Sequence, residues 1–209
     1  MLRVLLLAML AAAIPAAAQS IAPYVQVGIQ GNSNMGYSEP NFFIQPGLEY
    51  DGKRLTSLTQ FNYSPGIEAP GVQGLGYSIG LQSKGYVRVN RFISLGGGMD
   101  YVDLKTSAWR QSSLWVVGGA LFPVRSSHYN FGRVYLDCYY PVALDQNHNR
   151  LLQATIEIGS HRIRPIAEFG LSRFTEPSYC SSVCTTETGR ISAVGVKVML
   201  DHLRKSAER

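Results

Sequence analysis

Charge is scarce in this chain, and long apolar runs are almost missing. Only 16% of its 209 residues are charged, for a formal net charge of +5. The cations are scattered, with Arg204-Lys205 the only adjacent pair outside a turn. That is no basic stripe for a nucleic-acid partner. Beyond the leader no apolar stretch approaches the roughly 18 residues of a membrane-spanning helix. The mean hydropathy of -0.01 is too polar for a bundle of such helices. Histidine is limited to His128, His148, His161 and His202, none four residues from another, which removes helix-borne zinc motifs. The run Gly96-Gly97-Gly98 lies inside an alternating segment and opens no helix, so it is no phosphate-binding loop. A glycine run there implies close packing or a bend. No cofactor, metal or catalytic residue is expected. What is abundant is apolar and aromatic: 45% hydrophobic residues, with 21 Gly, 12 Tyr and 8 Phe. This composition excludes a disordered tail, a collagen and a coiled coil, and it fits one domain.

Met1-Leu2-Arg3 is a short positive start, Val4 to Ile14 an apolar core, and Pro15-Ala16-Ala17-Ala18 a small-residue end. These are the three parts of a secretory signal peptide, and the core is short for a membrane anchor. Residues 1–18 are therefore expected to be removed before Gln19, leaving 19–200 as the folded domain and 201–209 as a polar tail. No Cys follows the leader to accept a lipid. Export places the thiols in an oxidising compartment. Cys180 and Cys184, in a polar loop-like stretch, are expected to form a local disulfide. A zinc pair is the alternative, but no second Cys or His pair stands at ligand spacing. Cys138 is expected to be a small buried hydrophobe.

The mature sequence shows period-two alternation interrupted by turn residues, the signature of all-β structure. Ten segments carry it: 21–30, 41–50, 55–64, 74–89, 92–105, 114–122, 131–140, 151–161, 163–174 and 190–200. Tight links at 51–54, 89–91 and 160–162 alternate with longer ones at 31–40, 65–73, 106–113, 141–149 and 175–189. The segment 123–130 is long where a tight link is due.

Two barrels fit such alternation. A soluble one points its apolar face inward, giving a ligand pocket lined by Val25, Ile44, Ile79, Leu95 and Ile156. Its charges would face water in pairs worth under about 1 kcal/mol each. A membrane barrel inverts that polarity. The short-long rhythm of links, strands of about ten residues, and aromatics near strand ends favour the membrane form. Those aromatics are Tyr24, Tyr50, Tyr63, Tyr101, Phe122, Tyr140 and Phe174. The polar faces then supply a lumen with Lys84, Arg88, Arg133, Arg164 and Lys197 balanced against Glu49, Asp100, Asp137, Glu157 and Glu168. Arg133 is predicted opposite Glu157, and Glu168 opposite Lys197. Inward Gly76, Gly80, Gly96 and Gly98 are expected to leave room for the long side chains.

With these features the chain resembles the small bacterial outer-membrane β-barrel proteins, over the leader and residues 21–200, through its architecture and no signature motif. The resemblance implies an antiparallel up-and-down transmembrane barrel of about ten strands, with eight the alternative, sitting in outer-membrane lipid. Members usually end on an aromatic residue, whereas here Val198-Met199-Leu200 is followed by the charged tail 201–209. An even strand number places both chain ends in the periplasm.

The expected function is non-enzymatic, either structural or a narrow solute conduit, with Arg133, Glu157, Glu168 and Lys197 as plug or gate. Open general channels belong to barrels of about sixteen strands. Two alternatives stand beside it. One is a surface interaction module, with a partner bound through the outer loops and above all the cysteine-bearing loop 175–189. The other is a rim hydrolase using Asp145 and His148 in Asp145-Gln-Asn-His-Asn149. The run Ser127-His128-Tyr129-Asn130 lacks the Ser of the His-x-Ser-Asn run found in the outer-membrane lipid A deacylases.

Overall fold

A β-strand leaves backbone donors and acceptors unpaired along its edges, and in hydrocarbon only a closed sheet removes both edges. The computed structural model describes residues 21–32, 41–67, 76–105, 110–124, 131–142, 150–175 and 186–200, and it shows that closure. The strands in chain order are β1 (Ile21–Asn32), β2 (Asn41–Asp51), β3 (Leu55–Ile67), β4 (Gly76–Arg88), β5 (Ser94–Lys105), β6 (Arg110–Pro123), β7 (Phe131–Pro141), β8 (Arg150–Gly159), β9 (Ile163–Thr175) and β10 (Thr186–Met199). Each pairs antiparallel with its sequence neighbours, and β10 pairs with β1 to close the ring. All ten predicted segments are strands, so the eight-strand alternative falls. Two begin four residues earlier than alternation indicates. β6 starts at Arg110, opposite Lys105, and β10 starts at Thr186, opposite Thr175. These polar residues read as loop locally, but the neighbouring strand supplies their backbone partners.

Tight turns gather at the end where β1 begins and β10 finishes. Gly52 N donates to Leu55 O at 2.8 Å, and Ser160 N donates to Ile163 O at 2.9 Å. Asn90 Oδ1 accepts from the amides of Phe92 and Ile93 at 2.8 and 3.1 Å. Short polar side chains that bond to nearby backbone are what such turns require.

The wall is apolar outside and polar inside. Phe42, Leu95, Leu152, Phe169 and Val194 all stand out from the ring, half or more exposed. Gln26, Glu49, Lys84, Asp137 and Lys197 are buried within it. Val25, Ile44, Ile79, Leu95 and Ile156 lie on outward positions, so the soluble-barrel pocket is overturned. Tyr24 is corrected too: it is 1% exposed in the lumen and belongs to no outer girdle. Its even position in β1, shared with Gln26, decides this over its nearness to a strand end. Cys138 is a further correction. It points outward from β7 with partial exposure, opposite Gly118 of β6. In a background lacking Cys180 and Cys184, Cys138 in the intact membrane should resist a membrane-impermeant maleimide. It should still accept a lipid-soluble one; fast labelling by the impermeant reagent would place that face in water.

The inward glycines do more than leave room. A Cβ on Gly98 would meet Ser83 O and lie 2.8 Å from Lys84 Cα, both backbone atoms of β4. A Cβ on Gly96 would meet Gly85 O and lie 2.7 Å from Tyr86 Cα. β4 and β5 therefore approach each other so closely at these two positions that glycine alone fits.

Candidate functional site

Inward positions on five strands meet near the turn end. Glu49 of β2 is the hub. Lys197 Nζ lies 2.6 Å from its Oε2, and Arg133 Nη1 and Arg164 Nη1 each lie 2.9 Å from its Oε1. Glu157 joins through Arg164 at 3.0 Å and Lys197 at 3.3 Å. Asp51 pairs with Arg133 Nη2. Three cations thus meet three carboxylates, and Glu49, Arg133, Glu157, Arg164 and Lys197 are all buried. A carboxylate bonded to several charged donors in a closed space is held strongly, because removing one member leaves uncompensated charge. Around the network sits an apolar and aromatic layer that includes Ala22, Tyr24, Leu58, Leu121, Tyr135 and Met199. Lys197 Nζ lies 4.1 Å from the Tyr24 ring centroid.

A second pair stands farther along the lumen. Lys84 Nζ meets Asp137 Oδ2 at 2.8 Å, and Tyr86 OH donates to Asp137 Oδ1 at 2.6 Å. The Tyr86 and Tyr135 rings are 5.6 Å apart and tilted by 58°. Above these groups, toward the long-loop end, lies a cavity of about 320 Å³ lined mainly by carboxamides and hydroxyls. A relay crosses its wall. Tyr24 OH donates to Gln60 Oε1 at 2.8 Å, Gln60 Nε2 to Gln82 Oε1 at 3.4 Å, and Gln82 Nε2 to Asp100 Oδ2 at 3.2 Å.

Nine of the ten predicted lumen charges therefore point inward and are buried or partly buried. Arg88 is the tenth; it shares the inward side of β4 but is exposed at the turn end. Asp100 and Glu168 face the cavity and are held by Gln82 and Gln153 in place of cations. Arg133 does stand opposite Glu157 in register. The predicted Glu168–Lys197 pairing is overturned: Lys197 faces Arg164, and Glu168 faces Thr155 and Ala193. Link length, invisible to alternation, sets that register. Asp51, Tyr24, Tyr86, Tyr135 and Tyr139 were missed as lumen groups. The polar-face positions of the tyrosines are the signal that marks them. Cys180, Cys184, Asp145 and His148 lie outside the described residues.

An apolar exterior, a charged interior and no free sheet edge together invert the polarity of a soluble protein. The fold is that of a small outer-membrane β-barrel. No family model and no curated protein matches the sequence. Solved structures do. Neisserial surface protein A shares 14% identity, with 85% of this chain and 96% of that one covered at a TM-score of 0.36. Ail of Yersinia pestis shares 11% identity, covering 86% and 97% at 0.35. The β domain of the Bordetella autotransporter Brka shares 10% identity, covering 87% and 100% at 0.45. These likenesses concern fold alone.

Proposed function

We propose that this chain is a non-enzymatic outer-membrane barrel with a sealed lumen, a stem that holds its long loops at one membrane face. Its leader, 1–18, is removed on export. The observation that supports this best is Glu49 gripped by Arg133, Arg164 and Lys197 at the turn end. Those side chains come from β2, β7, β9 and β10, so together they span the lumen. With three cations set against three carboxylates, a passing ion gains nothing there and must break buried pairs to enter. Purified protein in planar bilayers should give no steady conductance. Large, steady openings would overturn the sealed reading and restore the conduit.

A second reading concerns the loop enclosed by β9 and β10. Thr175 and Thr186 are paired, so the segment 176–185, with Cys180 and Cys184 in its sequence, joins two bonded strand ends. If it binds a surface partner, deleting it should abolish that binding while leaving the barrel folded.

A further inference from the structure

One charge pattern on the outer wall plays no part in closing the lumen. At the long-loop end, Arg150 of β8 stands directly opposite Arg173 of β9. Both occupy outward positions and both are exposed. Arg190 of β10, also outward and exposed, lies diagonally across from Arg173, whose direct partner is Thr188. Like charges placed directly opposite destabilise a sheet. An anion shared by the two guanidinium groups reverses that sign, and guanidinium matches phosphate with paired, parallel hydrogen bonds. The Arg150 guanidinium also lies 5.8 Å from the ring centroid of Tyr140 on β7, a cation–π contact that keeps it against the wall.

The residues beneath are apolar and equally well ordered in register. Leu152 stands opposite Leu171, two positions farther from the loop end than the arginine pair. Ala154 and Phe169 form the next outward pair. Leu152, Leu171 and Phe169 are each more than half exposed. A ligand that satisfies the whole column has an anionic head above and hydrocarbon below, aligned with the barrel axis. A soluble anion would use only the top of it.

We propose that Arg150, Arg173 and Arg190 bind the phosphorylated headgroup of a lipid in the leaflet at the long-loop end. Its acyl chains run along Leu152, Leu171 and Phe169. This site rests on the membrane-barrel reading of the wall.

The test uses the mature protein in phosphatidylcholine nanodiscs containing a minor fraction of bisphosphorylated lipid A. Native mass spectrometry reads the lipid that stays bound after the disc is removed. The wild type should retain the phosphorylated lipid in preference to phosphatidylcholine. An R150Q/R173Q variant should retain it about tenfold less, the effect of losing one strong charged contact. Excess inorganic phosphate should leave the wild-type adduct intact. In discs of phosphatidylcholine alone, the variant should be at least as stable as the wild type, because the repulsion is gone. Equal retention by the two proteins overturns the site, as does displacement by inorganic phosphate alone. Heat-dependent gel mobility separates the two levels of failure. A folded unboiled band with equal retention refutes only the lipid site, whereas absence of that band refutes the membrane barrel itself.

Discussion

Replacing Glu49 with alanine is expected to destabilise the folded barrel by about 3–5 kcal/mol, the range for breaking a buried ion pair from one side. The substitution leaves Arg133, Arg164 and Lys197 facing one another in a space where each is buried. Glu157 and Asp51 stay behind to balance only part of that charge. A Glu49→Gln variant keeps the shape and loses the charge, so its loss should be smaller. An E49A/K197A double variant should recover part of the single loss, since contacting residues do not act additively. Urea unfolding in vesicles, followed by the unboiled folded band, measures all three. A midpoint unchanged in Glu49→Ala would remove Glu49 as the hub of the seal.

The second large effect is steric. Gly98→Val should prevent the ring from closing, and Gly98→Ala should lower stability by about 1–3 kcal/mol or more, the usual range for forcing extra carbon into a filled space. The obstacle is the backbone of β4, which no rotamer change can move aside. The control lies on the same sheet. A Cβ on Gly118 of β6 meets nothing within 4 Å, so Gly118→Ala should be neutral or slightly stabilising. The folded fraction on unboiled gels distinguishes the two sites. Equal behaviour of Gly98→Ala and Gly118→Ala would refute the close approach of β4 and β5.

Much of this fold was legible because one physical variable, the side each residue faces, is written directly into the order of residues. Period two gave the strands, and the parity of Lys84, Arg133, Arg164 and Lys197 gave their direction. Parity also placed Tyr24 inside, although its nearness to a strand end pointed to an outer girdle. Register was less legible. A strand slides along its neighbour in two-residue steps without changing its faces, so only the connecting segments decide who meets whom. Arg133 met Glu157 as predicted across a link that parity leaves free, while Lys197 met Arg164 in place of Glu168. The convergence on Glu49 was hidden for another reason. Its partners come from strands that are not its neighbours, and their meeting depends on the diameter and tilt of the closed ring.

The seam between β1 and β10 gives the molecule a clasp. Every other strand pairing joins neighbours in the chain and can form as a local hairpin, whereas this one joins the two ends. It must wait for the whole chain and carries the entropy of closing the longest loop. At its middle Gly28 faces Gly195, and the Phe43 ring from β2 covers the space that neither glycine fills. The bond from Lys197 to Glu49 passes behind β1 and ties β10 to β2. Fastening the clasp and assembling the buried charges are thus one event. Opening then requires both to fail together, so the finished barrel is guarded by a slow rate of unfolding as well as by its equilibrium stability.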